Sequence, residues 1–464
     1  MGIFENISPL DHRYRASEPE LWEELSSVLS EEGYLRCQLQ VEAALVQALA
    51  NRKVCSQSVA DEVSEACRKI TCAEVQVEEE ITRHNVRALV NCIRERVSSE
   101  AKPYVHLTAT SVDILDTARA LQMREAVKRW VVPKTQALMG VWLDLAEAEA
   151  ATPQIGRTHG QHGVPITFGF ALSEYISRTG TRLQAMASGA QDLRGKMAGA
   201  VGAYNASSLV FSDPMQFEIE VLALLDLKPA GHATQIVEPE YMTDLLHSVV
   251  SAFGVLANFA DDIRHLQRTE IAEVGEEFRA GQVGSSTMPH KRNPWNFENV
   301  KSMWKAYMPR MVTVYLDQIS EHQRDLTNSA SGRFIAEILA AYVLACQRLA
   351  HVTKRLSVDR VRMLANLNMH GQLISAEPLY IILASMGHGS AHECVKDLTL
   401  EAERTGKTLG DLVSEDESLA AFLQQMTDEQ KTIILHPASY TGASEEKARS
   451  VCTYWRRQLE EVDA

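Results

Sequence analysis

Three segments of the chain gather residues that can move protons and hold anions. The densest is Ala280-Gly-Gln-Val-Gly-Ser-Ser-Thr-Met-Pro-His-Lys-Arg-Asn-Pro-Trp-Asn-Phe-Glu298. Gly281, Gly284, Ser285, Ser286 and Pro289 predict a loop, and Asn293-Pro294 predicts the cap and first turn of a helix. His290, Lys291 and Arg292 set three basic groups in a row. Such a loop, with hydroxyls and cations, suits closure over an anion. On composition alone it is equally a solvated basic surface loop.

The second segment is Gly156-Arg-Thr-His-Gly-Gln-His-Gly-Val-Pro165. His159 and His162, with Arg157 and Gln161, read as a polar site in a Gly/Pro-punctuated loop ahead of a helix. A single histidine is more often a satisfied structural residue; two in one loop favour function. A metal reading has little support, because no carboxylate or cysteine lies nearby at ligand spacing. The third segment is His106-Leu-Thr-Ala-Thr110-Ser111-Val-Asp113. Thr110 and Asp113 form a capping-box pattern, which a plain helix start explains. The same N–H groups can hold a carboxylate, with Asp113 competing for them.

Long helices must position these segments. From Met242, apolar residues fall at Leu246, Val249, Phe253, Leu256, Ala260 and Ile263, a heptad seam that predicts a helix packed lengthwise on others. Glu238-Pro239 gives it a start. Further seams run Val300, Trp304, Tyr307, Met311, Val314 and Ile335, Leu339, Tyr342, Cys346, Leu349, Val352. Another helix is predicted from Ser111 to about Ala150, roughly 60 Å long and kinked at Pro133. A fifth follows Pro165 towards Met197. Five such helices suit an extended all-α bundle with lateral surface to cover by association between chains. The expected domains are 1–108, a central bundle 109–365 and a C-terminal helical domain 366–464. No strand block is evident.

Composition narrows the function. The net charge of −15 disfavours nonspecific nucleic-acid binding. A small anion still fits a local basic pocket. The eight cysteines show no CxxC, so reduced structural thiols are expected. HExxH, GxxxxGK[ST] and a strand-borne GxGxxG are absent, which removes the main support for zinc protease, P-loop enzyme and Rossmann dehydrogenase. No apolar run approaches the roughly 18 residues that span a bilayer, and Met1 to Pro9 is no secretory signal. A cytoplasmic protein with no membrane partner is expected.

Together the three segments resemble the signature regions of the fumarase/aspartase superfamily. Its pattern SSxMPxKxN stands intact from Ser285 to Asn293. Within that superfamily, RTHGQ at Arg157 to Gln161 resembles the adenylosuccinate lyases. Fumarases, aspartases and argininosuccinate lyases usually carry leucine in this motif, and carboxymuconate cycloisomerases carry tryptophan for the histidine. Arg13-Tyr14, Thr82-Arg-His-Asn85, Gly199-Ala-Val-Gly-Ala-Tyr204, Thr234-Gln-Ile236 and Gln323-Arg-Asp-Leu-Thr327 are similar too. The likeness covers nearly the whole chain and is weakest after about residue 400. Two departures stand out: Thr108 replaces a glycine found in many members, a feature shared by one adenylosuccinate lyase subgroup, and 237–241 lacks the arginine-aspartate of the commoner form.

The resemblance implies β-elimination of fumarate from an N-succinyl nucleotide. Ser285 would be the general base and His159 the general acid on the leaving nitrogen. Thr110, Ser111, Gln235, Lys291 and Asn293 would hold the succinyl carboxylates. Arg13, Tyr14, Arg324, Ser329 and Arg333 would hold the nucleotide and its phosphate. His84 and His106 would line the pocket, and Glu298 would orient His159. It further implies no metal or organic cofactor, and a homotetramer with a core of twenty helices whose sites are shared among three subunits. Rival readings are a superfamily lyase acting on another succinyl conjugate and a non-catalytic structural relative. A serine hydrolase lacks its GxSxG context.

Overall fold

The structure, a computed structural model, describes residues 2–277, 287, 288 and 290–462. Helix makes up 69% and strand 5%, which sets the all-α class. The helix Glu240–Leu266 follows Pro239, whose carbonyl accepts from the Thr243 amide at 3.0 Å. Leu246, Val249, Phe253, Leu256, Ala260 and Ile263 are all buried on it. The helix Ile335–Thr353 likewise buries Leu339, Tyr342, Cys346 and Leu349.

Two prolines shape the remaining long helices. The run from Ser111 is α-helical over Ser111–Ala126, widens to a π-helical turn at Val127–Val131, and resumes over Val132–Ala148. The wide turn absorbs Pro133, whose ring and missing N–H disrupt a regular α-turn. The second seam is two helices, Trp295–Tyr307 and Arg310–Leu316, with Pro309 at the joint. The helix after Pro165 spans Phe168–Gln191 and stops short of Met197.

Contacts divide the chain into two compact units. The first comprises Met1–Thr135, Thr181–Gly254 and Ser302–Gln347; the second comprises Gln136–Gly180, Val255–Lys301 and Arg348–Ala464. In the first, Phe253 meets Tyr342 edge-on at 5.8 Å, and the Tyr342 hydroxyl lies 2.9 Å from Thr135 Oγ1. In the second, Phe259 packs on Trp142 at 4.4 Å, Tyr175 at 5.3 Å and Phe297 at 6.2 Å. The second unit also holds a separate cluster built on Leu379, Leu383, Val395, Leu409 and Leu419. Two helices, Glu240–Leu266 and Ser331–Thr353, are long and apolar enough to cross a bilayer, yet 67% and 56% of their apolar windows are buried inside the protein. All eight cysteines are free.

Phe253 is fully buried at the seam. Phe253→Ala is expected to cost about 3–5 kcal/mol, read as a lowered midpoint in denaturant unfolding. A midpoint equal to wild type would show that the seam does not carry the packing.

Candidate active site

The segment around His159 is a hairpin, where the sequence pattern gives a loop. Strands Pro153–Thr158 and Gln161–Thr167 pair antiparallel, with Thr158 opposite Gln161 and a register shift between Ile155 and Arg157. The connection is two residues, His159 at φ 55 and Gly160 at φ 73. Tight hairpins of this kind need positive φ at both central positions. Gly160 takes it freely, whereas His159 bears a strain that L-residues avoid. The result is an imidazole exposed at the hairpin tip.

Arg157 fixes the hairpin. Its guanidinium donates to Glu273 Oε1 at 2.6 Å and Oε2 at 3.2 Å. Glu273 is fully buried, and Gln154 and Asn366 donate to the same carboxylate at 2.8 and 2.9 Å. A buried anion is tolerated when its lone pairs are filled in this way. His162 does not join His159: it lies on the second strand, its ring edge-on to His370 at 5.1 Å. Burial pushes the His162 pKa down, and Arg157 and His370 push the same way.

Ser285 and Ser286 lie outside the described residues. The residues on either side of 278–286 are described. Glu276, buried just before it, accepts from the amides of Asn296 and Phe297 at 2.9 and 3.3 Å and from the Asn296 side chain at 2.8 Å. Gln267 donates to the Arg292 carbonyl at 3.3 Å and accepts from the Glu276 amide at 3.1 Å. Burial holds the Glu276 carboxyl above the usual carboxylate range, against the pull of these donors. Beyond the loop, Lys291 is exposed and Asn293 half-buried. Glu298 is exposed, 3.8 Å from Arg264. Among the described residues no hydrogen bond joins Glu298 to His159.

The first unit gathers several of the other segments. At the start of the helix Ser111–Ala126, the Thr110 amide donates to Asp113 at 2.8 Å, so the capping residue does compete there. Asp113 is itself ion-paired to Lys196, and both are fully buried. The Gly199 amide donates to Asp113 at 3.2 Å. Gly202, at φ 76, lies so close to the next segment that a Cβ there would sit 1.8 Å from the Ala233 carbonyl oxygen. The Val237 amide donates to Asp116 at 2.9 Å, and the Gln235 amide to the Gln323 carbonyl at 3.2 Å. Burial holds the Asp116 carboxyl high, opposed by Val237, Lys196 and Arg324. Thr110, Ser111, Gln235 and Arg324, all half-buried, thus share one neighbourhood. Ser329 and Arg333 are exposed on the stretch that follows.

Arg13 is exposed and Tyr14 half-buried on the N-terminal turn Leu10–Tyr14. The exposed His84 caps the helix Asn85–Glu95, its Nδ1 accepting from the Arg87 amide at 3.3 Å. His106 pairs through Nδ1 with Glu42 Oε1 at 2.6 Å. Thr108 stands at φ 72, the left-handed region that favours glycine. Sequence reasoning missed Glu42, Lys196, Glu273 and Glu276. Glu42 had a signal: a carboxylate among Leu35, Leu39, Leu45 and Leu49 on a buried helix face. The others had none at short range. No group of three metal-ligating side chains occurs among the described residues.

Comparison with known proteins agrees with this organisation. The family described as Lyase matches residues 12–306, and that described as Adenylosuccinate lyase C-terminal matches 320–441. Adenylosuccinate lyase of Pyrococcus abyssi is 37% identical over 97% of this chain and 98% of its own. That of Archaeoglobus fulgidus is 33% identical over 96% and 98%. An N-acetyl-S-(2-succino)cysteine lyase of Enterococcus italicus is 28% identical over 93% and 94%. Among solved structures, 3-carboxy-cis,cis-muconate lactonizing enzyme from Pseudomonas putida superposes with TM-score 0.82 at 25% identity, covering 94% of this chain and 97% of that one. Fold and motifs together define a lyase of the fumarase/aspartase superfamily. Within it, the chain belongs to the adenylosuccinate lyase family.

Arg157→Gln leaves the Glu273 carboxylate buried without its cation. A loss of roughly 3–5 kcal/mol in unfolding free energy is expected. Wild-type stability in this variant would remove Arg157 from the anchoring role.

Proposed function

We propose that the protein eliminates fumarate from adenylosuccinate, giving AMP, and from the succinyl aminoimidazole-carboxamide ribotide SAICAR, giving AICAR. One observation carries the reading: the acid, base and cation positions His159, Ser285 and Lys291 are intact in a chain of this family matched over 97% of its length.

The chemistry assigns the roles. A base takes a proton from the carbon beside one succinyl carboxylate, the C–N bond breaks, and the nitrogen leaves with a proton from an acid. Ser285 is the base; its alkoxide needs neighbouring donors and a cation, which the Gly-Ser-Ser loop and Lys291 supply. His159 is the acid, an imidazole that holds and gives a proton near neutrality. The charge that builds on the carboxylate is met by Lys291, Asn293, Gln235 and the helix start at Thr110 and Ser111. Arg13, Tyr14, Arg324, Ser329 and Arg333 bind the nucleotide phosphate and ribose, arginine matching phosphate geometry. His84 and His106 line the pocket.

We propose a cytoplasmic homotetramer in which three subunits complete each site, with Glu298 orienting His159 across subunits. Supporting this, Val312, Leu316, Ile319 and Leu326 are 58%, 62%, 74% and 79% exposed along one stretch, apolar surface that calls for a cover. The three-domain division at about 108 and 365 belongs to the same proposal, supported by the separate apolar cluster after residue 376. No metal or organic cofactor takes part. A second reading is a lyase acting on another succinyl conjugate. Arg324 and Arg333 favour the nucleotide.

His159→Ala and Ser285→Ala are each expected to lose roughly 10²–10⁴-fold in fumarate release from adenylosuccinate. Mixed and reassembled, the two inactive variants should regain activity, because a shared site can draw His159 from a Ser285→Ala subunit and Ser285 from a His159→Ala subunit. Near-normal turnover in either variant removes its residue from the mechanism, and failure of mixing to restore activity removes the shared site.

A further inference from the structure

We propose that Glu42 is a positioning residue for the elimination: its buried carboxylate commits Nδ1 of His106 and favours the charged imidazole, which offers its remaining N–H to the anionic substrate. This rests on the reading of the site given above.

Three observations converge. The first is the contact, 2.6 Å between His106 Nδ1 and Glu42 Oε1, with Glu42 fully buried and the His106 side chain 19% exposed. The second is its cost to stability. Glu42 Oε2 is buried with no hydrogen-bond partner among the described residues. An unfilled buried carboxylate oxygen is expensive, and an apolar side chain would pack the helix Glu31–Asn51 better. The third is backbone strain. His106 at φ 64 and Thr108 at φ 72 are both left-handed within three residues. A helix start needs neither, and such outliers gather where function over-determines the geometry.

The electrostatics agree. Burial works against a charge on His106, but the Glu42 carboxylate and its hydrogen bond outweigh it and hold the pKa above that of an ordinary histidine. Asp113, from the helix Ser111–Ala126, adds to this; Arg87, from the helix Asn85–Glu95, opposes it. Cys67, from the helix Gln57–Cys67, faces Glu42. With Nδ1–H donated to Glu42, Nε2–H is the donor left for substrate. His106 lies four residues before the helix start proposed to bind a succinyl carboxylate. A fixed cation there stabilises the charge that builds on that group. Because the folded pKa is raised, the cation persists at low pH and is lost as pH rises through that value. Without Glu42 it is lost at lower pH.

The test uses the full-length protein and its Glu42→Gln and Glu42→Asp variants. Exchange of the histidine ring C2 hydrogen, followed by mass spectrometry against pH, reads His106 without substrate; kcat/KM for adenylosuccinate is followed over the same range. In wild type, His106 should titrate above free histidine, and in Glu42→Gln at lower pH. On the alkaline side kcat/KM should fall about tenfold for each pH unit by which that half-point drops, recovering towards acid, with Glu42→Asp closer to wild type. A wild-type His106 that titrates like free histidine overturns the proposal, as does a loss in Glu42→Gln of equal size at every pH. Should Glu42→Gln not fold, the wild-type exchange and the Glu42→Asp profile decide. A wild-type protein that releases no fumarate refutes the functional reading separately, since the exchange measurement needs no turnover.

Discussion

Two buried carboxylates three residues apart, Glu273 and Glu276, hold a hairpin and a helix start in the second unit. Glu273 collects Arg157, Gln154 and Asn366, and so fixes the hairpin that carries His159. Glu276 collects the first amides of the helix Trp295–Tyr307, and so ties that helix start to the segment around Glu273. Between them, Val274-Gly275 pairs with Ser357-Val358, which anchors the segment to the chain that leads into the C-terminal helices. Each carboxylate is costly to bury and is kept by filling its lone pairs. The arrangement gives the hairpin of His159 and the start of the helix Trp295–Tyr307 a common footing beside one short strand.

The first unit solves a different problem, how to gather cations and donors on an acidic chain. Asp113 and Lys196 neutralise each other in the interior. Around that pair the helix start at Thr110, the close turn at Gly202 and the backbone bond from Gln235 to Gln323 draw four segments together. Arg324 is thereby placed in reach of Asp116 and Asp317, whose carboxyls it pulls down against burial. Strain is stored beside this cluster, in the positive φ of His106 and Thr108. The long helices supply the stiffness that makes such strain affordable.

The helical frame was legible because it depends on periodicity. Leu246 to Ile263 and Leu339 to Leu349 are buried where the heptads put them. Pro133 marked one interruption, whereas the π-turn at Val127–Val131 and the break at Pro309 went unread, because they depend on backbone geometry that spacing does not specify. The hairpin was hidden because its strands are rich in glycine and polar residues and lack clean alternation. The motif residues were visible by type, yet their anchors were not. Glu273 and Glu276 look like any surface glutamates until residues 20 to more than 100 positions away close on them. Glu42 alone carried a local signal, a charge on an apolar stripe, and it too was missed.

The proposed substrate is a succinyl nucleotide. The most direct measurement is kcat/KM for fumarate release from adenylosuccinate beside that from N-acetyl-S-(2-succino)cysteine, with the same purified protein. A large preference for the nucleotide, lost when Arg324 and Arg333 are replaced by alanine, is the predicted result. Equal or better turnover of the cysteine conjugate would contradict the account.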